Sequence, residues 1–398
     1  MKFKLRQIMK TKNVFYLMLL LLSMSCSPNK QSQELPSIDA SKDYPEKEIN
    51  LTTIANVTYV YLNSKIDDYL FKGSIDYVTQ NSIVVIDRVS HSILFFSKDG
   101  NPKSRFNRRG QGPEEYSDAA SVMYDETNDD VFVSPDFSGH IKVYSSTGEF
   151  KRKINLPQMN VNGQMALFGD QSILVYDNTK LWRAIMQNNS AEQIIDSTFF
   201  LISKTDGALQ KYIRLPNKNI DLSYKDLEAT FIGQVSYGRV RNCADGLLLY
   251  NPETDTVFLY RNDNKTLTPY LHKKPLLSES NPITVMDICM DAGEFQFISL
   301  YSYQKTGASP TPKYYMRNKE TNEIFRQKII IPDYQGKEFF VNPRLANYYE
   351  NGYHFELDFT RLEEAYNENK LSGKLKELTA SLIEEEEPNN VFVIAEFK

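Results

Sequence analysis

The chain has 398 residues, of which 41% are hydrophobic and 12% aromatic, with 25 Tyr and 23 Phe. This composition supplies a large core and excludes disorder for most of the chain. The formal net charge of −5 disfavours nucleic acid and anionic lipid headgroups as partners.

The N-terminus has the pattern of a secretory signal. Five basic residues precede the apolar run 14–22, which is followed by Ser23-Met24-Ser25-Cys26. The run is far shorter than the roughly twenty residues of a membrane-spanning helix. We therefore predict that residues 1–25 direct export and are removed. Their removal takes away five positive and no negative charges, so the net charge changes from −5 to −10.

The cysteine that ends this segment resembles the acylated first residue of a bacterial lipoprotein. The resemblance implies a lipid anchor at Cys26, attachment to a membrane and an outer-membrane location, facing either the periplasm or the cell surface. Ser23 stands where such signals usually have Leu, so an ordinary cleaved signal with an incidental Cys stays open. Residues 26–48 are polar, which predicts a flexible tether.

One pattern of short strands occurs twice between residues 75 and 157. β-branched and aromatic runs alternate with turns that contain Asp, Gly and Ser, which is typical of strands joined as hairpins. The matching pieces are Ser82–Asp87 with Asp130–Ser134, Ser92–Ser97 with Ile141–Tyr144, and Lys98–Gly100 with Ser146–Gly148. A self-similar unit of about fifty residues indicates a propeller blade or a solenoid coil.

Related patterns predict five four-stranded units in chain order. The units span residues 69–109, 119–157, 163–216, 239–271 and 285–332. Within the third unit, residues 177–197 are too many for a hairpin loop, which predicts an insertion pinned by Trp182.

A sixth unit lacks one strand. It offers Leu345–Tyr349, Tyr353–Phe359 and Val391–Phe397, while the strand Val57–Leu62 belongs to no other unit. We predict that N- and C-terminal strands share this last blade, because closure removes the free sheet edges of an open array. The predicted fold is all-β, a six-bladed β-propeller of four-stranded antiparallel blades over residues 49–398.

A helical insertion is predicted within the last blade. Leu371, Leu375, Leu378 and Leu382 are spaced by four, three and four residues, which places them on one helix face. The run Glu384–Glu387 follows. It is predicted to be a solvated acidic loop, with a site for a cation or a basic partner as the alternative.

The loop between the first two blades is the candidate functional site. It reads Gly110-Gln-Gly-Pro-Glu-Glu-Tyr116, and the candidate residues are Arg109, Gly110, Gly112, Pro113, Glu114 and Tyr116. Glycine permits positive φ and Pro113 fixes the next turn, so backbone amides can converge in this loop. We predict a clamp between blades, with glutamate accepting amide hydrogen bonds and Tyr116 packed between sheets. The alternative is a ligand site.

Other polar residues form no catalytic pattern. The strand-end acids Asp87, Asp136 and Asp177 are predicted to cap their own turns instead of binding a metal or a sugar. Residues 125–130 lack the Gly and the terminal Glu of a calcium loop and are predicted to be a hairpin turn.

The spacing of histidines and cysteines predicts no metal and no cofactor. The histidines are far apart in the sequence, with no zinc-binding spacing, at positions 91, 140, 272 and 354. Cys243 and Cys289 occupy equivalent positions in adjacent repeats, which are usually too far apart to bridge. We expect two buried free thiols, with a disulfide as the alternative.

The loop 110–116, together with Asp136, Gly148 and the closing strand Asn389–Ile394, carries a family resemblance. With these residues the chain resembles the six-bladed β-propeller lipoproteins of Bacteroidota, which are similar to NHL-repeat propellers. The resemblance implies the fold and the anchor but little chemistry, because that family is mostly without assigned activity.

The sequence thus predicts a lipid-anchored, monomeric extracytoplasmic propeller without catalysis. It would bind or scaffold a protein, a peptide or a glycan through one end of its ring. The alternative is an extracytoplasmic glycan lyase or hydrolase whose residues come from several blades and leave no local motif.

Overall fold

The structure, a computed structural model, describes residues 34–64, 69–134, 139–156, 161–177, 198–216, 223–226, 232–234, 239–251, 254–303, 306–307, 311–343, 352–385 and 388–398. The chain divides into two units, Met1–Leu35 and Pro36–Lys398. The strands and helices of the described residues belong to the second unit. The predicted signal and Cys26 lie outside the described residues.

The second unit begins with two short strands and one helical turn. These elements and the longer strand after them are β1 (Ser37–Asp39), β2 (Glu46–Asn50), α1 (Leu51–Ile54) and β3 (Ala55–Tyr61). Asn50 caps α1, because its side-chain oxygen accepts a hydrogen bond from the Thr52 amide at 3.0 Å.

Two four-stranded antiparallel sheets follow and contain the sequence repeat. The first consists of β4 (Ile75–Val78), β5 (Ser82–Ile86), β6 (Ile93–Ser97) and β7 (Pro102–Phe106). The second consists of β8 (Ser121–Asp125), β9 (Asp130–Ser134), β10 (His140–Tyr144) and β11 (Phe150–Asn155). Within each sheet the strands are neighbours in chain order, as in a propeller blade.

The third and fourth predicted units are also single sheets. The third consists of β12 (Val161–Phe168), β13 (Ser172–Asp177), β14 (Thr198–Ser203) and β15 (Leu209–Arg214). Two short strands, β16 (Ser223–Asp226) and β17 (Ile232–Gln234), precede the fourth sheet of β18 (Arg239–Cys243), β19 (Gly246–Tyr250), β20 (Thr256–Arg261) and β21 (Leu267–Lys274). Trp182 and most of its predicted insertion lie outside the described residues.

A 3-10 turn (Leu277–Glu279) leads into the fifth sheet. Its strands are β22 (Ile283–Met286), β23 (Met290–Ala292), β24 (Phe295–Tyr303), β26 (Thr311–Asn318), β27 (Ile324–Ile330) and β28 (Glu338–Phe339). The two-residue strand β25 (Thr306–Gly307) leaves this sheet and pairs in parallel with β16.

The sheets follow one another around a common axis. The first strands of successive sheets contact each other, as β4 with β8, β8 with β12, β12 with β18 and β18 with β23. Every residue of the middle strands β5, β9 and β19 is buried, because a neighbouring sheet covers each face. Outer strands alternate between exposed residues and partly or fully buried ones, as in β11. The described sheets therefore form a β-propeller arrangement.

The last sheet joins the two ends of the second unit. It contains β29 (Gly352–Leu357), β30 (Val391–Phe397) and β3, in the order β29-β30-β3. β3 pairs antiparallel with β30 over its whole length, from Ala55 opposite Phe397 to Tyr61 opposite Val391. The prediction that N- and C-terminal strands lie side by side is confirmed.

Among the described residues, five blades are complete, and the predicted sixth blade is not confirmed. Five sheets among the described residues have at least four strands, and the closing sheet has three. The predicted fourth strand of the closing sheet, Leu345–Tyr349, lies outside the described residues.

The predicted tether, residues 26–48, extends too far along the chain. β1 pairs in parallel with β21, and β2 pairs in parallel with β27, so both add to the outer edges of the fourth and fifth sheets. Ile38 is fully buried. An edge strand needs few apolar side chains because its backbone supplies the hydrogen bonds, which is why the polar composition was misleading.

The predicted helical insertion is present but consists of two helices. They are α2 (Phe359–Asn367) and α3 (Gly373–Leu382). Leu375 and Leu382 are buried on α3 as predicted, whereas Leu371 precedes the helix and forms an isolated bridge with Tyr334. Gly373, with φ +51°, stands at the start of α3, and backbone of this kind begins a new helix instead of continuing an old one.

Candidate functional site

Tyr116 fixes the predicted loop to the first blade. Its ring is fully buried. Its hydroxyl donates to the His91 carbonyl at 2.8 Å and accepts from the Arg108 amide at 3.1 Å. The Arg108 side chain continues to the second blade, where its Nε donates to the Gly148 carbonyl at 2.8 Å. The loop therefore holds the two blades together.

The glycines of this loop leave space for the Glu115 side chain. Neither Gly110 nor Gly112 has positive φ, contrary to the sequence expectation. A Cβ on Gly110 would lie 1.9 Å from Oε2 of Glu115. That carboxylate fills the turn and accepts from the Gly112 amide at 2.8 Å.

The second blade binds the other side of the loop through its carbonyl groups. The Tyr144 hydroxyl donates to the Glu114 carbonyl at 2.7 Å, and the Lys142 ammonium donates to the Glu115 carbonyl. The Tyr116 and Tyr144 rings meet edge to face at 5.9 Å. These contacts are those of a clamp. The side chains of Arg109, Pro113 and Glu114 are exposed beside it.

Asp87 caps its own turn, as predicted. Its carboxylate accepts from the backbone amides of Lys72 and Val89 at 3.1 Å and from Ser90 at 3.2 Å. Although burial acts to raise it, these hydrogen bonds and one from the Ser90 hydroxyl hold the pKa of Asp87 below its ordinary value. Asp136 lies outside the described residues, as does the side chain of Asp177.

The acidic segment 125–130 is a hairpin turn between β8 and β9, as predicted. Asp125 pairs with Lys204 of the third blade, and Asp130 accepts from Arg152 at 2.6 Å. Among the described residues, no group of His, Cys, Asp or Glu side chains has the geometry of a metal site.

Cys243 and Cys289 are free thiols, as expected, although only Cys289 is fully buried and Cys243 is partly exposed. Burial raises the pKa of both, that of Cys243 to about 11. Neither thiol is therefore disposed to act as a nucleophile.

A groove that the sequence analysis did not predict lies beside the helical insertion. Its lining comes from β27 and the segment after it, from β2 and β29, and from α2 with the loop that leads to α3. Three adjoining recesses of about 470, 360 and 180 Å³ share Tyr334 and Lys337. We call this continuous surface the insertion groove.

Backbone hydrogen bonds between its two sides fix the walls of the insertion groove. The Gln335 amide donates to the Lys370 carbonyl at 2.8 Å, and the Ser372 amide donates to the Asp333 carbonyl at 3.0 Å. The Tyr334 amide donates to the Ile331 carbonyl at 3.1 Å. The groove is thus a preformed feature of the fold, as ligand sites usually are.

One end of the insertion groove is aromatic. Phe339 is buried and packs on Phe355 with ring centroids 4.6 Å apart. Phe340 is 47% exposed and stacks on Tyr314 at 5.5 Å. Phe340 lines the 180 Å³ recess together with Phe355. A ring stacked on one side loses little freedom when a ligand covers the other.

Two sets of polar side chains in the insertion groove differ in whether they have partners. Lys328 is held by Glu48 at 3.3 Å and Glu338 at 3.4 Å, and Lys370 pairs with Glu368. In the part of the chain that the structure describes, four further side chains make no hydrogen bond or ion pair: Gln335, Lys337, Arg361 and Glu364. The second set is available to a ligand.

A weak sequence signal for this groove exists. The segment Pro332-Asp-Tyr-Gln-Gly-Lys-Glu-Phe-Phe340 follows the fifth unit and combines a turn with aromatic and charged residues. Only the fold places this segment against the helical insertion, which lies about thirty residues later in the chain. Its place in the groove therefore could not be derived from the spacing of residues in the sequence.

The chain matches one family over nearly its whole length. Residues 35–396 match the profile described as "Domain of unknown function (DUF4934)". No curated protein matches the chain. No helix among the described residues has the length and apolar character to cross a membrane.

Several solved structures are similar. A candidate exported protein of Bacteroides fragilis NCTC 9343 has a TM-score of 0.59 and 15% identity, covering 91% of this chain and 99% of that chain. A DUF4221-family protein of Bacteroides vulgatus ATCC 8482 has a TM-score of 0.44 and 12% identity, with coverages of 68% and 84%. Virginiamycin B lyase from Staphylococcus aureus has a TM-score of 0.38 and 11% identity, with coverages of 72% and 89%. The first similarity supports the fold, and the other two support no inference.

Proposed function

We propose that this chain, which belongs to the DUF4934 family, is a lipid-anchored extracytoplasmic propeller that binds its ligand in the insertion groove. The observation that carries the binding role is a set of four polar side chains, which lie in a groove with fixed walls and make no hydrogen bond or ion pair among the described residues. These side chains are exposed or half-buried and therefore hydrated, so a ligand that displaces their water has to supply hydrogen bonds in return, which favours a polar ligand.

We also propose that the propeller has six NHL-like blades. The closing sheet supports this number. Its strands β29, β30 and β3 are three of the four that a blade needs. Residues 344–351 separate the described residues Pro343 and Gly352. Eight residues are enough for one strand of common length.

We further propose an acyl group on Cys26 and a location at the outer membrane. The basic head, the short apolar run and the Cys support it. After cellular fractionation, Cys26→Ala should move the protein from the membrane to the soluble fraction. Unchanged membrane partition would refute the anchor without affecting the groove.

We propose that the protein is a monomer and that it has no nucleic-acid partner, in keeping with its acidic charge.

A binding panel tests the role of the insertion groove. The full-length chain in detergent would be titrated with neutral oligosaccharides, acidic oligosaccharides and peptides. We expect one class to bind and Lys337→Ala/Arg361→Ala to weaken binding about tenfold, through the loss of two charge-assisted contacts. Lys153→Ala/Arg214→Ala is the matched control, since it removes the same charges from exposed edge-strand positions. Absence of binding across all three classes would contradict the proposed function.

A further inference from the structure

The sizes of the recesses in the insertion groove indicate the shape of its ligand. This inference rests on the proposed function. Its aromatic recess of about 180 Å³ is smaller than the roughly 300–1,000 Å³ of pockets that enclose a drug-sized ligand. It is suited to one ring-sized group. The adjoining recesses of about 470 and 360 Å³ continue along the same surface, so the ligand is a chain of such groups.

Phe340 supplies a flat surface at this end. Tyr314 covers one face of the ring, with the two planes 25° apart, and 47% of the Phe340 side chain stays exposed. A single exposed phenylalanine is common on protein surfaces. This one, however, borders a recess in which Lys337 and Arg361 have no partner among the described residues. The combination of a flat apolar face and unpaired polar groups matches a sugar ring, which has an apolar C–H face and a polar rim.

The unpaired side chains offer both donors and acceptors. Lys337 and Arg361 only donate, Glu364 only accepts, and Gln335 does both. A ligand hydroxyl also both donates and accepts, so a hydroxylated chain can satisfy the whole set. A purely anionic ligand would satisfy the cations and leave Glu364 opposite a like charge.

The total charge of the lining also disfavours an anionic ligand. The lining has four cationic residues and six carboxylates, which gives a formal charge of −2. The cationic residues are Lys328, Lys337, Arg361 and Lys370. The carboxylates are Glu48, Glu338, Glu356, Asp358, Glu364 and Glu368. A polyanion meets net repulsion in such a groove. The walls also present side chains and loop backbone, whereas an extended peptide binds best to an open strand edge.

We infer that the insertion groove binds a neutral oligosaccharide. One sugar ring stacks on Phe340 beside Lys337 and Arg361, and hydroxyls further along the chain bond to Gln335 and Glu364 in the adjoining recess. The stacking supplies the apolar contact. The unpaired polar groups orient the chain along the groove.

An array of neutral glycans, acidic glycans and peptides tests this inference on the full-length chain in detergent. We expect at least one neutral oligosaccharide to bind, Phe340→Ala to weaken its binding about tenfold, and Phe340→Trp to retain it. Tyr212→Ala is the matched control, because Tyr212 is a 54% exposed aromatic residue outside the groove.

Each other outcome contradicts the inference in a distinct way. Binding confined to acidic glycans or to peptides would overturn the ligand class and leave the proposed binding function standing. Neutral glycan binding that Phe340→Ala does not change would overturn the site. Absence of binding on the whole array would overturn both the inference and the proposed function.

Discussion

Gly100 and Gly110 show two different reasons for glycine in this fold. Gly100 has φ +87°, and a Cβ there would lie 2.0 Å from the Tyr61 carbonyl oxygen at the end of β3. The nearest atoms to a Cβ on Gly110 belong to the carboxylate of Glu115, which is the end of a flexible side chain. Backbone cannot move aside as a side chain can.

The glycine geometry predicts unequal costs of substitution. Gly100→Ala should lower the free energy of unfolding by more than about 2 kcal/mol, because strain and a backbone clash combine. Gly110→Ala should lower it by about 1 kcal/mol, the cost of one displaced hydrogen bond. Urea unfolding of both variants measures the difference. Equal costs would refute this account of the loop.

His354 on β29 predicts a pH dependence of stability. Burial, with a smaller contribution from the Arg241 guanidinium, lowers the pKa of His354 to about 4, against about 6.5 in an unfolded chain. Between these values the unfolded state binds more protons. The contribution of His354 to the free energy of unfolding should therefore fall by about 3 kcal/mol as the pH falls from 6.5 to 4. His354→Gln should remove this contribution and so flatten the slope of the free energy of unfolding against pH. An unchanged slope in His354→Gln would contradict the assignment.

At the scale of elements, the contribution of strand β1 to stability shows whether this segment is a tether or part of the fold. Ile38 packs in one apolar cluster with Leu248 and Tyr250 of β19. Ile38→Ala should lower the free energy of unfolding by about 2–4 kcal/mol, the usual cost of a core cavity. Val89→Ala, at a 69% exposed position, is the control and should have little effect. An Ile38→Ala variant as stable as the control would restore the tether interpretation.

The strands could be predicted from the sequence because apolar runs and turn residues are local signals. Positions within the first four sheets match the predicted units closely, and the terminal pairing followed from counting strands. Parallel addition of β2 could not be predicted, since Glu46–Asn50 has one apolar residue and gains its stability from the backbone of β27. The clamp at Tyr116 was predicted from its residues. The insertion groove was not, because its lining comes from segments far apart in the chain.

At the scale of the whole molecule, closure by the two terminal strands is the central claim. Asn389 supports it beside the last sheet, because its buried side-chain amide donates to the Leu62 carbonyl at 2.8 Å and to the Tyr69 carbonyl at 3.1 Å. The residue just before β30 thus holds the segment just after β3. Closure leaves the propeller without free sheet edges at its ends.

Disulfide cross-linking measures closure most directly. Asn56 lies opposite Glu396 in the β3–β30 pairing, and both are exposed. Opposite residues in antiparallel strands have Cα atoms about 4.5–5.5 Å apart, within disulfide range. Under mild oxidation, Asn56→Cys/Glu396→Cys should form an intrachain disulfide that peptide mass spectrometry locates, while Thr58→Cys/Glu396→Cys, displaced by two residues, should not. Free thiols or only interchain bridges in the first variant would contradict closure of the ring by its own ends.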